Sequence, residues 1–146
     1  MYLEAVIKES LRLYPPAPIL LRKVERDVIL PTGQTLPKDT GIFVSVYATH
    51  RNTMYWGDDA EQFRPERFID TPLKHPAAFM AFSNGPRNCI GYRYAMMSMK
   101  TALSTLLRHY RLLPASEKDL GQPIDLKFDI MLRATDEFKV MIEPRT

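Results

Sequence analysis

Apolar residues recur at helical spacing twice along the chain. The first set stands near the start and consists of Leu3, Ile7, Leu11 and Tyr14. It predicts a helix that ends at Pro15 and Pro16, because proline lacks the backbone donor that a continuing helix needs. The second set predicts a long helix and consists of Ala95, Met99, Ala102, Leu103, Leu106 and Tyr110.

Runs of β-branched and aromatic residues predict strands elsewhere. These runs are Ile19–Val24, Val28–Leu30, Gly41–Tyr47 and Leu126–Leu132, and Lys139–Ile142 is the expected partner of the last one. Between His50 and Gly85, prolines and glycines interrupt any period, so this stretch predicts irregular backbone with short helices. An irregular segment of that length in a compact domain is usually functional, or it belongs to a larger structure.

Composition narrows the possible classes of protein. The chain has 146 residues, 45% of them apolar, which suffices for one domain with a core. Its formal net charge is +3 with both signs interspersed, so no nucleic-acid partner is expected. One cysteine excludes an internal disulfide. No apolar run approaches the ~20 residues of a membrane span, and the amphipathic start does not resemble a signal peptide.

The single cysteine, Cys89, lies in a polar loop just before the second predicted helix. A thiolate at that place is stabilised by the positive end of the helix dipole, and it acts as a nucleophile or as a metal ligand. A nucleophile needs a general base, and His50, His75 and His109 stand in no recognisable partner motif. A zinc site needs several ligands, whereas one thiolate is enough for iron that four porphyrin nitrogens already hold. The alternative is a lone cysteine that serves as a small buried hydrophobe.

The neighbours of Cys89 fit a flat macrocycle. Gly85 and Gly91 carry no side chain, so the backbone could pass close to its face. Phe82 would cover that face, and the planar fork of Arg87 would pair with a propionate carboxylate.

Several motifs resemble the cytochrome P450 monooxygenase family. The stretch FSNGPRNCIG, Phe82–Gly91, resembles its haem-binding signature, in which Phe, Gly, Arg, Cys and Gly hold fixed positions. Glu9–Arg12 resembles the Glu-x-x-Arg of its K helix, and Phe63–Phe68 resembles its Pro-Glu-Arg-Phe segment. Asn88–Gly91 and Met96–Lys100 resemble most the microsomal clan that includes fatty-acid omega-hydroxylases.

The resemblance implies a mixed α/β, mainly helical fold that corresponds to the C-terminal part of the cytochrome P450 fold. Its expected elements are the K helix, a small β-sheet, an irregular loop, the cysteine-ligand loop, the long L helix and a terminal hairpin. Residues 1–146 would then form a single partial domain. The chain would begin inside its parent protein, without the N-terminal anchor and the distal oxygen-activating helix. The 146 residues alone are therefore expected to be aggregated or loosely folded, and inactive.

The resemblance also implies the roles of individual residues. Cys89 would be the catalytic thiolate ligand of the iron in haem b, as cysteine is in this family. The residues expected to bind the cofactor are Phe82, Gly85, Arg87, Cys89, Gly91 and Arg22. Both arginines would bind propionates, and the alternative for Arg22 is an exposed strand residue. A buried cluster that fixes the irregular loop in one geometry would consist of Glu9, Arg12 and Arg67.

The implied reaction inserts one oxygen atom from O₂ into a small apolar substrate of the fatty-acid or xenobiotic type. An NADPH-dependent flavoprotein reductase would supply the electrons. The parent protein would lie on the cytoplasmic face of the endoplasmic reticulum membrane, or in the mitochondrion, and contact the membrane only through its N-terminal part. In this chain, only Ile19–Leu21 and the terminal hairpin would touch the substrate pocket. The alternatives are an inactive truncated remnant, a haem-binding module without turnover, and a cysteine hydrolase, which no motif supports.

Overall fold

The computed structural model describes residues 2–70, 72–116, 124–135 and 139–145. Its helices are α1 (Tyr2–Leu13), α2 (Val46–Thr49), α3 (Thr53–Trp56) and α4 (Tyr92–His109), with short 3-10 helices at Pro65–Phe68 and Pro76–Ala78. Its strands are β1 (Ile19–Lys23), β2 (Val28–Ile29), β3 (Thr35–Leu36), β4 (Gly41–Ser45), β5 (Tyr110–Pro114), β6 (Leu126–Phe128), β7 (Leu132–Ala134) and β8 (Val140–Pro144). The described part of the chain is therefore a mixed α/β structure.

Both long helices form where the hydrophobic pattern predicts them. The backbone N–H of Tyr14 still donates to the carbonyl of Ser10 at 2.8 Å, and Pro15 then ends α1. The helix α4 ends one residue earlier than predicted. Tyr110 has extended backbone angles and pairs with Pro144, so it begins β5 instead of continuing the helix.

The described strands pair in four antiparallel, two-stranded sheets. β1 pairs with β4, so that Leu21 lies opposite Phe43, and β2 forms a hairpin with β3. Gly33 lies in the turn of that hairpin with a φ of +83°, a left-handed angle that glycine adopts without steric cost. The other two sheets pair β5 with β8 and β6 with β7.

The predicted strand Gly41–Tyr47 is too long by two residues. The strand β4 ends at Ser45, and Val46 and Tyr47 belong to α2. The hydroxyl of Ser45 accepts a hydrogen bond from the backbone N–H of Ala48 at 3.2 Å. This side-chain cap satisfies a donor in the first turn of α2 and starts a helix within an apolar run.

The predicted pairing at the C-terminal end is wrong. Leu126–Leu132 is not one strand, because the chain reverses after Phe128 and β6 pairs with β7. The expected partner strand pairs with β5 instead, with Ile142 opposite Leu112. Alternation of apolar residues shows which side chains share a face, but it does not specify the partner strand.

A small aromatic core lies inside the stretch that was predicted to be irregular. Trp56, Ala60 and Ala78 are buried there, and Phe68 and Phe79 pack against them. The rings of Phe68 and Phe79 meet edge to face, with their centroids 5.1 Å apart. These contacts give the irregular backbone a fixed position beside α1, which also packs against the 3-10 helix Pro65–Phe68.

The helix α4 packs against α1, yet none of its 18 residues is fully buried. Lys100 on α4 contacts the Glu4 carboxylate on α1 at 3.1 Å. Met99 and Leu103, on the predicted apolar face, are only half-buried. Among the helices of the described ranges, none has the length and apolar character needed to cross a membrane.

Candidate functional site

The loop that carries Cys89 is closed by its own backbone. The N–H of Cys89 donates to the carbonyl of Phe82 at 2.8 Å, and the N–H of Asn88 donates to the carbonyl of Gly85 at 3.1 Å. Gly85 has a φ of +80°, and a Cβ added there would meet no atom of the residues that the structure describes within 4 Å. Glycine is therefore favoured at this position by the backbone angle and not by lack of space.

Cys89 lies immediately before the first turn of α4, and its side chain is exposed. Gly91 occupies the N-cap position and offers no side chain to the free N–H groups of that turn. Those donors and the helix dipole create a positive potential at this end of the helix. A Cβ added to Gly91 would lie 4.0 Å from Cys89 Sγ, an ordinary van der Waals distance.

Three further predicted residues lie on or against this loop. Phe82 is half-buried, and its ring lies 6.1 Å from the ring of Tyr92. Arg22, exposed on β1, donates a hydrogen bond to Ser83 Oγ at 2.8 Å. Arg87 is exposed, and no described residue pairs with its guanidinium. The structure thus brings the distant Arg22 to the cysteine loop.

Glu9 and Arg12 form a buried ion pair on α1. Both side chains are 0% exposed. The guanidinium of Arg12 donates from Nε to Glu9 Oε2 at 2.7 Å and from Nη2 to Oε1 at 2.8 Å, a bidentate arrangement. The backbone N–H of Arg64 donates to the same Oε1 at 2.8 Å. Arg67 Nε lies 3.4 Å from Oε1 as an ion pair without hydrogen-bond geometry.

Both guanidiniums also hold carbonyl groups of the irregular segment. Arg12 Nη1 donates to the carbonyls of His50 at 2.8 Å and Ala60 at 2.6 Å. Arg67 donates to the carbonyl of Trp56 at 2.8 Å and to the side chain and carbonyl of Asp59. The hydrogen bond from Arg67 lowers the pKa of Asp59. The cluster therefore supplies donors to carbonyls that no regular helix or sheet would pair.

The buried His50 was missed as part of the site by sequence reasoning. Its Nδ1 lies 3.0 Å from the carbonyl of Arg12, and its Nε2 accepts a hydrogen bond from the N–H of Met80 at 2.8 Å. Burial, together with the positive charges of Arg12 and Arg51, lowers the pKa of His50 to about 4. The ring is therefore neutral at pH 7. Asp59 and Ser83 were missed too, because their contacts follow no local spacing that a sequence shows.

The arrangement around Cys89 fits haem iron. Within the ranges that the structure describes, no three His, Cys, Asp or Glu side chains come together to hold a metal ion. A porphyrin iron needs only one protein thiolate, and Cys89 offers an accessible one. Arg22 and Arg87 place positive charge on the same loop, which suits the carboxylates of a porphyrin.

Comparison with known proteins identifies the family. The family model described as Cytochrome P450 matches residues 1–141. The chain belongs to the cytochrome P450 family. Members of the cytochrome P450 family bind haem b and are haem-thiolate monooxygenases, and the predicted family is thereby confirmed.

Curated cytochrome P450 proteins match the chain closely. "Probable cytochrome P450 4aa1" of Drosophila melanogaster is 44% identical over 146 residues, which cover 99% of this chain and 28% of that protein. "Cytochrome P450 4F1" of Rattus norvegicus is 40% identical over 147 residues, 99% of this chain and 27% of that protein. "Probable cytochrome P450 313a1" of Drosophila melanogaster is 48% identical over 113 residues, which cover 76% of this chain and 23% of that protein. The chain thus spans about a quarter of the length of these relatives.

Proposed function

We propose that the protein carrying this chain is a monooxygenase in which Cys89 is the thiolate ligand of the haem iron. The observation that carries the proposal is the exposed sulfur of the only cysteine, held by the Phe82–Cys89 backbone bond at the start of α4. When bound, haem b supplies the iron centre at which O₂ is activated and one oxygen atom is transferred. Cys89 holds that group, and the dipole of α4 stabilises the negative charge on its sulfur.

Residues around the sulfur shape the cofactor site. Gly85, with its left-handed backbone angle, would let the loop pass close to the macrocycle, and the half-buried ring of Phe82 would cover the face of the macrocycle. Arg22 and Arg87 bind the propionates through charge-assisted hydrogen bonds, each worth about 1.5–3 kcal/mol. This role is supported by the exposure of both side chains and by the contact of Arg22 with Ser83 in the loop.

The cluster of Glu9, Arg12 and Arg67 positions the irregular segment under the site. Its donors fix carbonyls between Trp56 and Gln62, and Glu9 holds the N–H of Arg64. A fully buried cluster of this kind is costly to desolvate, so it contributes more to one defined geometry than to net stability. The segment in turn packs its aromatic core against Phe79, three residues before Phe82.

An apolar substrate of the fatty-acid type is supported by two observations. The relatives named cytochrome P450 4 match nearly the whole chain, and the sequence resembles the clan of fatty-acid omega-hydroxylases. A groove of about 300 Å³ lies between the first sheet and the β6–β7 hairpin. Its apolar lining includes Pro18, Ile19, Phe43, Leu126, Phe128 and Leu132. Electrons come from an NADPH-dependent flavoprotein reductase on the cytoplasmic face of the endoplasmic reticulum.

The test is the absorption spectrum of the reduced carbon monoxide complex of the full-length protein. Wild-type protein is expected to show the red-shifted Soret band of thiolate ligation, and Cys89→Ala is expected to lose it. Cys89→His serves as the control, because an imidazole ligand retains haem without that band. A variant of Cys89 that keeps the thiolate band would overturn the proposal. A wild-type band without NADPH-dependent hydroxylated product would instead support haem binding without turnover.

A further inference from the structure

The buried ring of His50 connects two parts of the molecule that the proposed site depends on. It lies between the end of α1 and the segment that leads into the cysteine loop, and it is 0% exposed. Arg12 O lies on one side of the ring and Met80 N on the other, 38 and 30 residues away in sequence. The ring also stacks on Phe79, with centroids 5.3 Å apart and planes 13° from parallel.

The two partners of His50 fix the position of its proton. The amide of Met80 can only donate, so Nε2 must be the unprotonated acceptor. The carbonyl of Arg12 can only accept, so Nδ1 must carry the proton. Every partner is satisfied by one neutral tautomer. The charged groups that face the ring, Arg12 and Arg51, are cations and oppose a second proton.

The amide that donates to His50 belongs to Met80, the first residue of a turn that is hydrogen-bonded to the cysteine loop. The N–H of Ser83 donates to the carbonyl of Met80 at 2.9 Å, which closes the four-residue turn Met80–Ser83. The carbonyl of Phe82, inside this turn, accepts the N–H of Cys89 at 2.8 Å. A displaced turn would therefore displace the backbone of Cys89.

This turn is strained and needs an external anchor. Ser83 has a φ of +64°, in the left-handed region that residues with a Cβ adopt only at a cost. Arg22 holds the Ser83 hydroxyl at the surface, whereas the hydrogen bond to His50 holds the buried end. We propose that His50 is a positioning residue for the cysteine ligand. Its ring contacts Arg12 of the Glu9–Arg12–Arg67 cluster on one side, and on the other side it accepts the Met80 N–H at the start of the turn that holds Cys89. This inference rests on the proposed role of Cys89 as the haem ligand.

Two substitutions of His50 by residues with an amide side chain distinguish a hydrogen-bonding role of the ring from a role in packing alone. In His50→Gln the side-chain oxygen reaches the position of Nε2 and can accept the Met80 N–H. In His50→Asn the shorter amide reaches the Arg12 carbonyl but leaves the Met80 N–H buried and unpaired. Both variants lose the stacking on Phe79, so that loss cannot account for a difference between them. They differ by one methylene group and by which partner of His50 they retain.

The experiment uses the full-length protein and two readouts, the thiolate band of the reduced carbon monoxide complex and amide hydrogen exchange across Met80–Cys89. In His50→Asn we expect loss of the band and exchange of these amides to speed up by on the order of tenfold. In His50→Gln both should stay within about twofold of wild type. Exchange can be followed without haem, so a variant that fails to load still gives a result.

The outcomes distinguish this inference from the proposed function. If wild-type protein has no thiolate band, the proposed function fails regardless of His50. If wild type has the band and both amide variants keep it with unchanged exchange, His50 does not position the ligand. Equal loss in both variants would show that the imidazole only fills space, and it would overturn the inference as well.

Discussion

Arg22 and Ser83 are 61 residues apart in sequence, and the guanidinium of Arg22 donates a hydrogen bond to the hydroxyl of Ser83 at 2.8 Å. A second donor of Arg22 is directed at the carbonyl of Leu21, in its own strand. The strand β1 therefore places a cation against the cysteine loop in a defined orientation. That cation can stabilise the loop, bind a carboxylate of the cofactor, or do both.

The paired variants Arg22→Ala and Ser83→Ala separate these two roles. If Arg22 binds a propionate, Arg22→Ala should release haem about tenfold faster, since a charge-assisted hydrogen bond contributes about 1.5–3 kcal/mol. Ser83→Ala removes the same hydrogen bond to the loop but leaves the cation in place, so haem release should accelerate less, by about twofold. Transfer of haem to apomyoglobin measures both rates. Equal rates in the two variants would leave Arg22 with a structural role alone.

The local parts of this structure could be predicted from sequence, because local forces determine them. The period of α1 and its end at Pro15 follow from residues within one or two helical turns. The pairing of β8 with β5 could not be predicted, since alternation carries no information on the partner.

In the candidate site, too, local contacts could be predicted from the sequence and long-range contacts could not. The spacing of Glu9 and Arg12 follows from the resemblance, and their ion pair is an i,i+3 contact on one helix. The carbonyls that Arg12 binds at His50 and Ala60 lie on irregular backbone, whose path no periodicity describes. The role of His50 could not be predicted, because both of its partners, the Arg12 carbonyl and the Met80 amide, are backbone groups distant in sequence.

Substitution of Glu9 by Gln should destabilise the protein strongly. The change leaves two buried guanidiniums without their carboxylate, and breaking a buried pair on one side costs about 3–5 kcal/mol. Glu4→Gln is the matched control on the same helix, because Glu4 pairs with Lys8 and Lys100 while partly exposed to solvent. Each of these two partly exposed pairs should contribute at most about 1 kcal/mol.

Urea unfolding of the full-length variants measures both changes in the free energy of unfolding. A Glu9→Gln variant that unfolds at the same urea concentration as Glu4→Gln would show that the cluster contributes no more than a surface ion pair.

The free energy of unfolding should fall as the pH drops from about 6.5 to about 4, because of His50. The folded state binds a proton at His50 only near its pKa of about 4, whereas the unfolded chain binds one near 6.5. Protons therefore favour the unfolded state in this window, by up to about 3 kcal/mol, and the effect levels off below pH 4. The free energy of unfolding, measured by urea at a series of pH values, tests this dependence.

His50→Gln is the control for the pH dependence, since an amide does not titrate and the fall between pH 6.5 and 4 should largely disappear. Glu4, whose pKa is lowered from 4.5 to about 2, also loses some stabilising effect as the pH falls below about 5, but it does so equally in wild type and His50→Gln, so the difference between the two proteins reports on His50. The same fall in wild type and variant would mean that another group is responsible.

Arg87→Ala should keep thiolate ligation and weaken haem retention. Arg87 is exposed and lies two residues before Cys89, so its removal leaves the backbone bonds of the loop unchanged. Haem release should accelerate by about tenfold while the thiolate band persists. Arg87→Lys should recover part of the loss, because a point charge cannot form the bidentate pair. Release at the wild-type rate in Arg87→Ala would contradict a propionate contact.

Gly85 and Gly91 should respond differently to the same added methyl group. Gly85→Ala places a Cβ on a backbone angle of +80°, a left-handed conformation that costs about 1–2 kcal/mol. The loop can relieve this strain by moving, and the thiolate band should weaken even though the new methyl group meets no neighbour within 4 Å in the described part of the chain. At Gly91 the φ of −88° suits any residue, and the Cβ would meet Cys89 Sγ at an ordinary 4.0 Å. Gly91→Ala should therefore leave ligation nearly unchanged.

Gly85→Asn provides the decisive third variant of this series, because asparagine adopts left-handed angles more readily than alanine does. We expect the intensity of the thiolate band and the midpoint of thermal unfolding to decrease from Gly85 through Gly85→Asn to Gly85→Ala. If lack of space were the reason for glycine, the larger asparagine would be worse than alanine. An order with asparagine lowest, or equal effects of alanine at Gly85 and Gly91, would show that the angle of Gly85 does not control ligation.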